Sequence, residues 1–147
     1  MIVDYDFKSG FFPVVNGILF ADGSIENYRI CEDNQRKRVL QKCSCSNSDI
    51  AESSLIATHE YQFDDVDVKF SIGEGSYGGD GFILAESLST KKFLWLISFD
   101  ESNPFISLRR LNETLLIENN CYEVWEINIK NINKPLLSII QQSKYFK

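Results

Sequence analysis

Val66-Asp67-Val68-Lys69-Phe70-Ser71-Ile72 decides the fold class of this chain. Its apolar residues Val66, Val68, Phe70 and Ile72 fall at every second position, and the residues between them are charged or polar. Period-two alternation of this length is the pattern of an antiparallel strand with one face buried and one face wet. Leu55–Phe63 precedes it with a similar alternation, and Asp64-Asp65 supplies a tight turn between the two. Downstream, Phe82–Ala85 and Phe93–Phe99 are joined by Ser89-Thr90-Lys91-Lys92. Phe93-Leu94-Trp95-Leu96-Ile97 is apolar without a break, which predicts a central strand covered on both faces.

Working outward, Asn16–Phe20 and Ile25–Ile30 flank Asp22-Gly23, a strong hairpin signal. Phe105–Leu111 and Leu115–Glu118 form another pair, and Asn119-Asn120 turns into Cys121–Ile129. Trp95 is expected in the core, whereas the face of Trp125 depends on a register the sequence leaves open. Leu136–Ile140 is expected as a last short element after Pro135. Glu32–Lys42 reads as a short helix or an exposed edge, and Cys43–Ser54 as a loop with a helical turn capped by Ser48 or Asp49. The expected fold is α+β: one domain over residues 1–147, dominated by an antiparallel sheet with one or two short helices.

The chain has 147 residues, 44% of them hydrophobic and 13% aromatic, which suits a packed core and not a disordered chain. Its net charge is −6. Nucleic acid and anionic membrane repel such a chain within a Debye length of roughly 8 Å, so neither is an expected partner. A cationic protein is favoured instead. No stretch approaches the roughly 20 apolar residues that cross a bilayer. Met1-Ile2-Val3-Asp4-Tyr5-Asp6-Phe7 carries acids where a secretory signal carries lysines, so a cytoplasmic location is expected.

The segment His59–Glu86 holds seven acids against one lysine and straddles Gly73-Glu74-Gly75-Ser76-Tyr77-Gly78-Gly79-Asp80-Gly81. Gly73 to Gly78 satisfies G-x-G-x-x-G. The dinucleotide version of that motif needs a helix after it, and a strand is expected here. The kinase version lies between strands, but H-R-D and D-F-G are missing. A wide turn with positive φ explains the glycines, and bare backbone also lets a partner approach closely.

Cys43-Ser44-Cys45 lacks zinc-finger spacing, and with Cys31 and Cys121 it reads as reduced thiols, so no metal and no cofactor are expected. His59 is the lone histidine and has no recognisable nucleophile context, so no catalytic residue is assigned. Arg36-Lys37-Arg38 lacks interleaved aromatics and reads as edge decoration.

Gly-Glu-Gly-Ser-Tyr-Gly-Gly-Asp-Gly-Phe from Gly73, followed by Phe-Leu-Trp-Leu-Ile-Ser-Phe-Asp-Glu-Ser-Asn-Pro-Phe from Phe93, resembles bacterial immunity proteins of polymorphic toxin systems. The similarity is to those of contact-dependent growth inhibition that neutralise a nuclease toxin. The resemblance implies a single immunity-type domain, a cytoplasmic inhibitor of a cognate toxin's C-terminal domain, and no catalysis of its own. It also implies a toxin β-hairpin that extends the inhibitor's sheet.

No binding residue transfers from that family position by position. Charge and loop reasoning selects Glu60, Asp64, Asp65, Asp67, Glu74 and Asp80 as the electrostatic contact with a basic nuclease, and Tyr77 as an aromatic anchor. Two other readings remain: a small metal- or nucleotide-binding enzyme built on the glycine loop, and a β-rich adaptor.

Overall fold

The computed structural model describes residues 7–44 and 51–140. Thirteen strands run in chain order: β1 Phe11–Val14, β2 Gly17–Phe20, β3 Ile25–Glu32, β4 Arg38–Cys43, β5 Ala51–Ser54, β6 Ile56–Phe63, β7 Val68–Glu74, β8 Gly81–Ser87, β9 Phe93–Phe99, β10 Phe105–Leu111, β11 Thr114–Asn119, β12 Val124–Asn128 and β13 Leu136–Ile140. Two single 3-10 turns, Phe7–Ser9 and Asp64–Val66, are the only helical pieces among the described residues. Strand accounts for 61% and helical turn for 4%, so the fold is β-rich and the expected α+β class is corrected.

The reasons are local. Glu32–Lys42, read as a short helix or an exposed edge, is the edge: it forms the tip and second arm of the β3–β4 hairpin, with β4 last in its sheet. The Asp33 carboxylate accepts from the amides of Gln35 and Lys37 at 2.8 and 3.0 Å, and Arg36 takes a left-handed φ of 61°. That side-chain cap closes a turn where polar composition alone had left helix open. The other candidate turn, capped by Ser48 or Asp49, lies outside the described residues, as does Cys45; Ala51–Ser54 beyond it is strand.

Seven strands form one antiparallel sheet in the order β4-β3-β2-β9-β8-β7-β6, and four form a second in the order β10-β11-β12-β13. One apolar core lies between them. The seven-stranded sheet supplies Ile18, Val68, Phe70, Ile72, Ile83, Trp95 and Ile97, and the four-stranded sheet supplies Leu115, Ile117, Trp125 and Ile127. Trp125 is fully buried, its ring edge-on to Phe99 and Phe105 at 5.1 and 5.3 Å. Its indole N–H donates to Glu123 Oε1 at 2.9 Å, and its pairing with Ile117 and Ile139 sets the register that turns it inward.

A third layer covers the other face of the large sheet. β1 pairs with β5, and Phe12 and Val14 pack on Leu19, Phe82, Leu84 and Leu96. The Ser98 hydroxyl pins this ribbon, donating to Pro13 O at 2.8 Å and accepting from Val15 N–H at 2.9 Å. β9 is therefore buried from both sides, in keeping with its unbroken apolar run. Burial of this kind stabilises by about 25 cal/mol per Å² of apolar surface removed from water.

Arg38 joins the two large sheets at one corner. Its Nε lies 3.1 Å from Glu123 Oε2, an ion pair whose angle falls short of a hydrogen bond. Its Nη2 donates to Glu101 O at 2.7 Å. No helix among the described residues is long and apolar enough to cross a membrane.

Candidate partner-binding site

β6 is an edge. Among the described residues it pairs only with β7, in the register His59↔Ile72, Tyr61↔Phe70 and Phe63↔Val68, with a bulge between Ala57 and His59. The direction of its free amides follows from the next ladder. Leu88 N–H donates to Asp67 O, and Gly75 N–H to Asp80 O, so odd-numbered residues of β7 bond toward β8. Even-numbered residues then bond toward β6, and their partners are His59, Tyr61 and Phe63. Glu60 and Gln62, one position out of phase, turn their N–H and C=O groups to solvent.

Side chains on this strand divide in the same rhythm. Tyr61 and Phe63 are half-buried against the core, and the Tyr61 hydroxyl accepts from Leu108 N–H at 3.2 Å. His59 is exposed, stacked beside Tyr61 with ring centroids 6.3 Å apart, its Nδ1 3.0 Å from Thr58 Oγ1. Glu60 is exposed. The expected acidic contact thus begins on an open sheet edge.

Beyond it the acids divide into free-standing and engaged. Asp64 is exposed at the head of the second 3-10 turn. Asp65 is also exposed, but it takes two hydrogen bonds of 2.7 Å from Arg110, whose guanidinium sits 5.0 Å from the Phe63 ring centroid. The Arg110 hydrogen bonds hold the Asp65 carboxyl below the usual carboxylate range, and Arg110 is pushed up in return. Asp67 closes the turn in a left-handed conformation, φ 56°. Its carboxylate accepts from the Ser89 hydroxyl at 2.6 Å, Ser89 N–H at 3.0 Å and the Ser87 hydroxyl at 3.1 Å. Those bonds, the Ser89 hydroxyl first, hold its carboxyl low as well. Asp67 therefore spends its charge stitching β7 to the β8–β9 turn.

Asp80 is a greater departure. It is fully buried, accepts from the Ser53 hydroxyl through Oδ2, and takes the Tyr77 amide at 3.2 Å through Oδ1. A residue selected as a surface contact is instead the internal peg of the glycine loop. The glycines follow from it. A Cβ on Gly75 would collide with the Asp80 carboxylate and the Ser53 hydroxyl, and Gly78 takes a φ of +90°. The Ser76 amide donates to Ser53 Oγ at 2.9 Å. With Ser76 and Tyr77 amides used internally and a strand following, this loop does not present the ring of free N–H groups that cradles a phosphate.

Tyr77 is 61% exposed, with its hydroxyl donating to Glu52 O at 2.8 Å. Glu74 is half-buried at the end of β7. Two residues that the sequence reading passed over join this end of the edge: Phe11, 47% exposed and paired with Ser54, and Ile56, 43% exposed and paired with Glu74. Phe11, Ile56 and Tyr77 give an apolar end beside the carboxylates of Glu52 and Glu74. No element was expected at Phe11, and Arg110 carried no signal, lying 45 residues from its partner Asp65.

Among the described residues, no three His, Cys, Asp or Glu side chains are grouped to hold a metal ion. Cys31 and Cys43 are half-buried and Cys121 is exposed, all with free thiols. No family model matches the chain, and neither a curated protein nor a solved structure matches it.

Proposed function

We propose that this chain binds and neutralises a cationic protein domain, a nuclease-type toxin encoded beside it, with no catalysis of its own. The observation that carries the reading is the open edge of β6, whose outward amides at Glu60 and Gln62 lead into exposed Asp64. An extended segment of the partner adds to that edge through main-chain bonds, and neighbouring side chains select which partner is accepted. A nuclease must be basic to hold phosphates, and a chain of net charge −6 meets it with the complementary sign. Tyr77, Ile56 and Phe11 supply apolar anchors at one end of the strand. The cytoplasm is the compartment this reading requires.

Co-expression with the adjacent toxin domain is expected to protect cells and to yield a stoichiometric complex. Gln62→Pro removes an outward N–H from an edge strand without touching the β6–β7 ladder. It is expected to abolish most of the affinity while the protein stays folded. Full protection and unchanged affinity in that variant would remove β6 as the docking edge, and failure to bind any neighbouring cationic domain would remove the function.

A further inference from the structure

A second unpaired strand edge lies inside the large sheet, at the opposite end from β6. β2 begins only at Gly17, where it pairs with Asn27 of β3 and Ser98 of β9. Before that point the chain leaves the sheet to build the third layer, turning at Asn16 with a left-handed φ of 52°. β3 runs on to Glu32 in company with β4 alone. This leaves a gap in the sheet between Tyr28–Glu32 and the end of β9, where no strand lies among the described residues.

The gap is built by specific bonds. At its inner end, Tyr28 N–H donates to Asn16 O at 2.9 Å, and the Asn27 side-chain Nδ2 donates to Val15 O at 2.8 Å. Asn16 Oδ1 accepts from Asp100 N–H at 3.0 Å and holds the far wall. At its outer end, Arg38 reaches across from β4 to Glu101 O at 2.7 Å. From Tyr28 to Glu32 a strand rises about 13 Å, room for three or four extended residues.

The ladder fixes what faces this gap. Asp33 N–H donates to Lys37 O, so odd-numbered residues of β3 bond toward β4. Tyr28 is in the opposite phase, and Ile30 shares it. The Ile30 N–H and C=O therefore point into the gap, with no strand partner among the described residues. Ile30 is half-buried as a residue, and a strand N–H and C=O without a strand partner form a template for an added strand. A cavity of about 240 Å³ opens beside it, lined by the apolar groups of Tyr28, Ile30 and Phe99 and rimmed by Asn16, Asp100 and Glu101. That volume lies below the roughly 300–1,000 Å³ of small-molecule pockets and suits a single side chain. Of the two nearby cations, Arg29 is engaged with Gln41 Oε1 at 3.0 Å and Arg38 is ion-paired with Glu123 at 3.1 Å, and the carboxylates of Asp100 and Glu101 are on exposed residues.

We propose that this gap takes a short extended segment of a partner protein, bonded through its main chain to Ile30, with an apolar side chain among Tyr28, Ile30 and Phe99 and flanking lysines or arginines facing Asp100 and Glu101. The site is separate from β6 and does not depend on it. It gives the chain a second point of attachment, and two attachments on one partner multiply affinity through effective concentration.

The test uses a capped hexapeptide of alternating lysine and leucine, with alternating glutamate and leucine as control, titrated into the full chain while amide exchange is followed residue by residue. Saturation with the lysine peptide is expected to slow exchange at Ile30 by about tenfold or more, with no such effect from the glutamate peptide. The double variant Asp100→Lys, Glu101→Lys is expected to weaken the lysine peptide by about tenfold at low salt. Its unchanged thermal midpoint would show that the fold is intact. Gln62→Pro is expected to leave Ile30 protection untouched, which separates this site from the β6 proposal. Exchange at Ile30 unchanged at millimolar peptide, or protection confined to Glu60 and Gln62, would overturn the assignment.

Discussion

Asp80→Ala separates a carboxylate that builds the fold from one that meets a partner. Two bonds are lost: the Ser53 hydroxyl to Oδ2 and the Tyr77 amide to Oδ1 at 3.2 Å. Ser53 is 1% exposed, so its hydroxyl loses a charged acceptor where water does not readily replace it. A buried bond to a charged group contributes about 1.5–3 kcal/mol. The Tyr77 amide lies in an exposed loop and rehydrates, adding about 0.5–1 kcal/mol. Removing a desolvated carboxylate returns part of this, so the net loss is about 2–3 kcal/mol. For a chain of this size that lowers the thermal midpoint by roughly 4–12 °C. The assay is urea unfolding, with a shifted midpoint at an unchanged slope. Glu60→Gln, on the exposed edge, is expected to stay within about 0.5 kcal/mol of the parent. A loss below about 0.5 kcal/mol for Asp80→Ala would refute the assignment of Asp80 as the peg of the loop.

Trp125→Ala removes the edge-on contacts to Phe99 and Phe105 and leaves Glu123 short of a donor, and is expected to cost about 3–5 kcal/mol in the same assay. Asp65 and Asp67 have carboxyls held low in the folded chain. Stability from them is present above the unfolded value near pH 4 and is lost as pH falls through their folded values. Asp65→Asn with Asp67→Asn should flatten that acid limb, and an unchanged limb would show that other groups set it. Burial, with Glu26 second, pushes the Tyr28 hydroxyl up from 10.0 to about 12. The folded chain therefore keeps a proton that the unfolded chain releases, and stability falls as pH rises from 10 toward 12. After allowance for solvent at this half-buried ring the loss is roughly 1–2 kcal/mol, and Tyr28→Phe should abolish it. Glu60→Lys with Asp64→Lys is expected to slow association with a cationic partner about tenfold at low salt and to weaken its salt dependence; an unchanged on-rate would remove both residues from the contact.

What the chain disclosed in advance follows the reach of each signal. Alternation in Val66–Ile72 and the unbroken run Phe93–Ile97 report burial on one face or two; β9 lies where its run places it, whereas β7 begins only at Val68, with Val66 in the 3-10 turn and Ser71 buried. The Asp22-Gly23 turn was likewise local. Glu32–Lys42 stayed open between helix and exposed edge because neither arm of that hairpin is fully buried, so no period was imposed on it; it is the edge. The third layer escaped notice because β1 and β5 are four residues each, and because β1 is fixed to the large sheet by a hydroxyl 83 residues from Val15. Asp80 misled for a different reason. Acids beside glycines are commonly solvated, and only the return of Ser53 from a distant strand draws this one inside. Of the exposed acids, Asp65 and Asp67 are taken up by Arg110 and by Ser87 and Ser89, whereas Glu60 and Asp64 stand on the surface beside the open edge.

The position of β2 between β3 and β9 has a consequence for biosynthesis. Gly17 finds its second neighbour in Ser98, about 80 residues later. At translation speeds of about 5–20 residues per second, the early strands wait roughly 4–16 s on the ribosome before the strand that completes their sheet has been made. Through that interval the β2–β3–β4 meander carries an unsatisfied flank, so the nascent chain is most vulnerable to chaperone capture or misassociation before residue 99 emerges.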